Sequence, residues 1–241
     1  MSVSLNNVTL SYARHPAVHH IFGSFETGSL TAVTGPNGAG KTTLLKAIAG
    51  VLRPDEGNIH IAGQRSAYLP QAADMQRDFP MPVLSMVCTG YWHKTGGTGA
   101  ITPAMRQQAS LALAGVGLAG FEDRQLSSLS AGQFQRALFA RLIVQDAPLI
   151  LLDEPFAAID ADSTAQLIDI LLRWHKEKRT VICVLHDLDQ ISRYFPECLL
   201  LARECIAWGN TDKALSPENL LKARFFHAGW ESSPFVCERA V

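Results

Sequence analysis

Apolar and polar positions divide the chain into elements. Val3, Leu5, Val8 and Leu10 alternate imperfectly with polar neighbours, which predicts a half-exposed strand near the start with Tyr12 directly after it. Leu30 to Thr34 predicts a short buried strand. Gly35 to Gly40 follows as a glycine-rich loop, and Lys41 to Ala49 has helical spacing through Leu44, Leu45 and Ile48 until Gly50 ends it. Pro54-Asp55-Glu56-Gly57 predicts a turn, and Ile59 to Ala62 and Ser66 to Leu69 predict two further strands. Pro70 and Gln71 close this part. From about Ala72 to Val144 the pattern is helical, broken by Pro80, Pro82, the Gly96-Gly97-Thr98-Gly99 loop and Pro103. Strand patterns return at Leu149 to Leu152 and Val181 to Leu185, with a helical run from about Ser163 to Lys176 between them. Strand, helix, strand in that order implies a parallel sheet. The last stretch, Leu220 to Val241, carries no pattern of either period.

The chain has 241 residues, 47% hydrophobic and 18% charged, enough for a full core in one domain with room for a subdomain. A formal net charge of -1 offers no general attraction for phosphate backbones, so nucleic acid is not an expected partner and any phosphate site must be local. The longest apolar runs fall far short of a bilayer span. Met1 to Asn7 lacks the basic start and apolar stretch of a secretory signal, so the chain is expected to remain in the cytoplasm. Five cysteines, widely spaced and with no Cys-x-x-Cys pair, suggest reduced thiols and no structural zinc.

Gly35-Pro36-Asn37-Gly38-Ala39-Gly40-Lys41-Thr42 matches the phosphate-loop pattern G-x-x-x-x-G-K-[ST] and lies after a strand and before a helix, where such a loop must lie. Glycines let the backbone curl so that several N–H groups point at one phosphate, and the helix adds the positive end of its dipole. Lys41 supplies a point charge to the β- and γ-phosphates of a nucleotide, and the Thr42 hydroxyl is suited to ligate Mg²⁺. A glycine-rich turn with no ligand is the bland alternative, and the flanking strand and helix count against it.

Pro148 to Leu152 is apolar throughout, as a central parallel strand should be, and ends in Asp153-Glu154. Ligands in open α/β sheets sit beyond the carboxyl ends of strands, so Asp153 is placed to reach Mg²⁺. Glu154, one residue on in an extended chain, is expected to point toward the γ-phosphate side and to orient or deprotonate the attacking water. Thr180 to Leu185 repeats the arrangement and ends in His186. A helix cap is the plain alternative for Asp153-Glu154, and a satisfied surface residue for His186.

Leu129-Ser130-Ala131-Gly132-Gln133-Phe134-Gln135-Arg136 precedes an apolar helical pattern through Leu138, Phe139, Leu142 and Ile143. Ser130 and Gln133 have the spacing of a capping box. A helix N-terminus with a hydroxyl and a glycine is also a second anion site. With these motifs in this order, the sequence resembles the ATP-binding subunits of ABC transporters, whose signature is usually written with glycine where this chain has Ala131.

The resemblance covers nearly the whole chain. It implies an α/β fold, a P-loop NTPase parallel-sheet core with an N-terminal antiparallel β part and an inserted α-helical subdomain. The core would take residues 1–71 and 145–241, and the helical subdomain with the signature residues 72–144. Tyr12 is similar to the aromatic that stacks on adenine, Gly35 to Thr43 to the Walker A loop, and Gln71 to the Q-loop glutamine that contacts Mg²⁺ and signals to the membrane subunits. Ser130, Gly132 and Gln133 resemble the signature, Leu149 to Asp153 Walker B, Glu154 the catalytic carboxylate, Asp160 the D-loop aspartate and His186 the switch histidine. Ala157-Ala158-Ile159-Asp160 departs from the D-loop pattern in lacking the serine often found there. The resemblance further implies a homodimer with ATP and Mg²⁺ at its interface. It also implies integral membrane permease subunits, an extracytoplasmic solute-binding protein upstream, and a peripheral position on the cytoplasmic face of the cell membrane. A soluble ATPase of this kind acting on ribosomes or DNA generally has two modules or a long coiled-coil insertion, and neither is spelled here.

The cargo expectation rests on resemblance alone. Tyr68-Leu69-Pro70-Gln71, the stretch Asp78 to Val87, and Leu152-Asp153-Glu154-Pro155-Phe156 are similar to ATPases of zinc and manganese uptake systems, with an iron-chelate importer as the nearest alternative. Phe79 to Val83 is an apolar cluster that suits either a docking groove for a membrane subunit or plain core. The His19-His20 pair is read as an exposed loop and not as a metal site.

Overall fold

The computed structural model describes residues 2–12, 15–63, 65–71, 77–96, 98–157 and 159–232, and for Tyr12 and residues 227–232 the backbone alone. In chain order the first elements are β1 (Val3–Tyr12), β2 (His15–Phe25), β3 (Leu30–Thr34), α1 (Lys41–Ile48), β4 (Glu56–Ile61) and β5 (Ser66–Leu69). The α-helices that follow among the described residues are α2 (Val83–Cys88), α3 (Trp92–Thr95), α4 (Pro103–Gly115) and α5 (Ala131–Gln145). The remainder is β6 (Leu149–Asp153), α6 (Ala161–Lys176), β7 (Thr180–Val184), α7 (Leu188–Tyr194), β8 (Glu197–Ala202), β9 (Glu204–Asn210), α8 (Thr211–Ala214) and α9 (Pro217–Ser232). The chain divides into two compact units, residues 1–66, 148–153 and 174–241, and residues 67–147 and 154–173. Residues 154–173 thus group with the helices and not with the sheet, unlike the boundary expected from sequence. Gln135 on α5 holds the Pro155 carbonyl, which ties this stretch to the helical residues.

In the first unit a small antiparallel sheet has the order β2-β1-β4. The imperfect alternation along β1 has a simple cause: the register shifts between Leu5 and Val8, with Asn7 at φ 55°. The bulge returns Val8 and Leu10 to the same buried side as Val3 and Leu5. The strand is therefore more buried than its spacing suggests. His19 and His20 lie within β2, not in a loop: His19 Nδ1 is 3.3 Å from Glu204 Oε1 and His20 Nδ1 is 2.7 Å from Asn7 Oδ1. Among the described residues no group of three or more ligating side chains is placed to hold a metal. The turn expected at Pro54 to Gly57 is shorter, because Glu56 already pairs with Thr9 and begins β4.

The strands of the larger sheet that belong to this unit run β6-β7-β3-β8-β9. β3 pairs in parallel with β7 and β8, β6 pairs in parallel with β7, and β9 turns back antiparallel on β8. Every position of β3, β6 and β7 is buried, as continuous apolar runs in a covered parallel sheet require. α9 occupies part of the stretch that showed no pattern. Ala223 and Leu220 pack with Leu200 and Ala202, while Leu221, Phe225 and Phe226 are exposed, so its apolar residues spread round the helix.

The second unit is helical. Leu113, Leu118, Phe134, Leu138 and Phe139 are fully buried at its centre. Pro103 starts α4 instead of breaking it, at a position where its missing N–H costs nothing, and the Thr102 hydroxyl accepts from Met105 N–H at 3.2 Å. The apolar cluster at Phe79 to Val83 is divided: Val83 is core, whereas Phe79 is 56% exposed.

Candidate functional site

The loop between β3 and α1 is a backbone cradle. Gly35 has φ 147°, and a Cβ on it would lie 1.9 Å from the Leu201 carbonyl oxygen; at Gly40, φ 90°, a Cβ would lie 2.1 Å from the Ala17 carbonyl oxygen. Neither position admits a side chain. Asn37 and Gly38 are exposed on the outer turn of the loop, Ala39 is buried beneath it, and Thr43 is half-buried on α1. The loop is braced from β8 and the turn after it. Arg203, at φ 64°, donates its N–H to the Ala39 carbonyl at 3.0 Å, and its side chain donates to the Pro16 carbonyl at 2.8 Å. Leu201 and Arg203 carry no motif in the sequence, so this support is visible only in three dimensions.

Lys41 is 6% exposed, and its Nζ donates to the Gly35 and Pro36 carbonyls at 2.9 and 2.8 Å. The ammonium is thereby curled over the loop and held against two of its carbonyls. Thr42, one residue further along α1, donates from Oγ1 to Asp153 Oδ1 at 3.1 Å. Asp153 is fully buried at the end of β6. The cradle, the lysine and the strand-end carboxylate are thus brought together within the first unit. His186 follows the end of β7, exposed, and shares a cavity of 180 Å³ with Thr34, Gly35, Pro36 and Arg224. Asp187 after it caps α7, accepting from Asp189 and Gln190 N–H at 2.9 and 3.1 Å.

The second unit carries the other candidates. Ser130 accepts from Gln133 N–H at 3.2 Å while Gln133 Oε1 accepts from Ser130 N–H at 3.0 Å, a complete capping box that leaves Ser130 exposed at the start of α5. Ala131 and Gly132 follow it in the first turn of the helix, neither with positive φ, so the methyl of Ala131 carries no backbone strain. Gln71 is half-buried just beyond β5. Asp160 caps α6: Ser163 N–H reaches its Oδ1 at 2.9 Å, and that bond, with help from the Ser163 side chain, holds the carboxyl below its ordinary range. Glu154 departs from expectation. The strand ends at Asp153 and Glu154 turns to φ 49°, so its side chain leaves the backbone at a left-handed turn and not in extended alternation. The Tyr12 side chain and the Ala158 position lie outside the described residues.

A family sequence model described as ABC transporter matches residues 18–157, more than half of the chain and the span that holds the cradle, the α5 cap and Asp153. The chain belongs to the ABC transporter family. It is an ATP-binding subunit of that family with the ABC ATPase fold, and its chemistry is ATP hydrolysis. It is 37% identical over 227 residues to a manganese transport system ATP-binding protein of Bacillus subtilis, covering 91% of this chain and 91% of that one. It is 36% identical over 231 residues to a zinc transport system ATP-binding protein of Treponema pallidum, covering 92% and 86%. Among solved structures, an ABC transporter assigned to the metal-chelate type, in an inward-facing conformation, superposes with TM-score 0.81 at 29% identity, covering 93% of this chain and 88% of that one. No helix among the described residues of the ATPase is long and apolar enough to cross a membrane.

Proposed function

We propose that this ATPase drives import of a divalent transition metal ion, manganese or zinc, through integral membrane permease subunits at the cytoplasmic face of the cell membrane. An extracytoplasmic binding protein would deliver the ion to the permease. The observation that carries the cargo is similarity along almost the whole chain to manganese and zinc transport ATP-binding proteins, each above 30% identity. The ATPase itself has no part in holding the ion; the metal is the cargo of the permease. An iron chelate is the second reading, supported by the likeness to the metal-chelate type transporter.

The donor set at the nucleotide suits Mg²⁺: the Thr42 hydroxyl and the Asp153 carboxylate, two hard oxygens, meet at 3.1 Å beside the lysine. Bound there, with Gln71 as a further ligand, the ion would neutralise phosphate charge. In the reaction we propose, the N–H groups of Gly35 to Thr43 and the Lys41 ammonium hold the phosphates, Asn37 lies along them, and Tyr12 stacks on the base. Glu154 takes a proton from the attacking water and His186 contacts the γ-phosphate. The exposed start of α5, with Ser130, Gly132 and Gln133, closes on ATP held by a second copy of the chain, and Asp160 lies at the same interface. Each ATP is then gripped by two chains, and its hydrolysis releases the pair. Deleting the gene and measuring cellular manganese, zinc and iron under metal limitation tests the cargo. Loss of manganese or zinc accumulation supports it; loss of iron alone favours the chelate reading, and unchanged uptake of all three rejects metal cargo.

A further inference from the structure

Gln135 is fully buried on α5, among Phe134, Ala137 and Leu138. A long amide on the apolar face of a helix is costly unless its groups are bonded. Its Nε2 donates to the Pro155 carbonyl at 2.9 Å, while its Oε1 is buried with no hydrogen-bond partner among the described residues. An apolar side chain of the same length would serve packing better. The amide's place in this core is therefore explained by the one bond that it makes.

That bond grips the chain one residue beyond Glu154. Glu154 sits at φ 49°, a left-handed conformation uncommon for a residue with a side chain, and Ala157 N–H reaches back to the Glu154 carbonyl at 3.2 Å. This turn sets the direction in which the Glu154 side chain leaves the backbone, and the next carbonyl along the turn is the one Gln135 holds. We infer that Gln135 is a positioning residue for Glu154, a latch from the signature helix to the backbone that aims the carboxylate. The inference rests on the proposed role of Glu154 as the base. It adds a coupling: α5 presents Ser130 to the nucleotide of a second copy, while Glu154 serves the nucleotide of its own chain. The latch joins the two sites of the dimer within one polypeptide.

The test uses the full chain with MgATP. Gln135→Met keeps length and packing and removes the donor; Gln135→Glu keeps shape and faces the Pro155 carbonyl with an acceptor. Each is expected to lower kcat by roughly tenfold to a hundredfold, the scale of a small misplacement of a catalytic group, with MgATP affinity within about twofold of the parent. A purely structural role would lower thermal stability without this split. Combined with Glu154→Gln, either variant should lower the residual rate no further and should leave ATP-driven dimerisation of that variant intact, because the group being aimed is already gone. An unchanged kcat in both variants, or dimerisation lost in the combined variant, overturns the latch. If Glu154→Gln alone hydrolyses at the parental rate, the role of Glu154 falls and takes the latch with it; if that variant is inactive and Gln135→Met is not impaired, the latch alone falls.

Discussion

The two units of this ATPase solve opposite problems at their helix N-termini. The cradle before α1 is closed upon itself. Lys41 is buried against the carbonyls of its own loop, Thr42 is bonded to a buried carboxylate, and Gly35 and Gly40 are pressed against backbone from β8 and β2. The start of α5 is finished only to the extent that its own cap requires. Ser130 and Gln133 satisfy each other, with Ser130 exposed and Gln133 half-buried. A site built to grip a ligand alone needs pre-organised charge inside the protein, where neighbouring dipoles are fixed. In the dimer proposed above, the start of α5 meets ATP held by a second copy and must be stable while exposed, and a reciprocal cap accomplishes that without a partner.

Lys41→Ala should be the most severe test of that contrast, since it removes the charge at the centre of the closed half. Binding of MgATP and turnover should both fall by about a hundredfold or more, because a charge-assisted contact to two phosphates is lost. Isothermal titration and a phosphate-release assay read the two losses; near-parental activity would remove the cradle from the mechanism. Glu154→Gln should cost on the order of a hundredfold in hydrolysis with binding retained. Size-exclusion chromatography with MgATP should then show that variant as a dimer, and normal turnover would dismiss Glu154 as the base.

Ser130→Arg strikes the exposed half. Its own chain should bind ATP as before while turnover falls by about tenfold or more, because the bulk blocks approach to a partner's nucleotide and the lost cap costs about 1 kcal/mol of helix stability. A parental rate would reduce Ser130 to a helix cap. Ala131→Gly sharpens the same point at the smallest scale. The methyl sits on ordinary helical backbone, so turnover should move by no more than about twofold, while the greater freedom of glycine lowers the melting temperature by a few degrees, the effect of up to about 1 kcal/mol. A large gain in rate on removing the methyl would show that Ala131 hinders phosphate approach.

Much of the fold could be read from spacing where burial was two-sided or the helix faced one core. β3, β6, β7 and α1 are such cases. β2 was not legible: polar His19 and His20 and Gly23 interrupt its alternation, and its pairing with β1 shifts register at the bulge. β8 has a run from Cys198 to Ala202 that is buried throughout, and periodicity alone does not separate such a run from a buried helix segment. Of the candidate site, the glycines, Lys41, Thr42, Asp153 and the Ser130 cap were legible because phosphate binding and capping demand fixed residue types at fixed spacings. Leu201, Arg203 and Gln135 were not, because they act through backbone carbonyls and N–H groups, which any sequence possesses. Gln135 left one faint sign, a polar residue on the apolar side of α5.

The sequence by itself determined that a phosphate-loop pattern lies between a strand and a helix, that a capped helix starts at Ser130, and that the central strands are parallel and buried. These follow from local rules: glycine conformations, helix caps and hydrophobic period. Only the tertiary structure decided the left-handed turn at Glu154, the grouping of residues 154–173 with the helices, and the bracing of the cradle from β8. The reason is physical. Those features depend on hydrogen bonds and close approaches between residues far apart in the chain, and no local spacing encodes which carbonyl a distant side chain will meet.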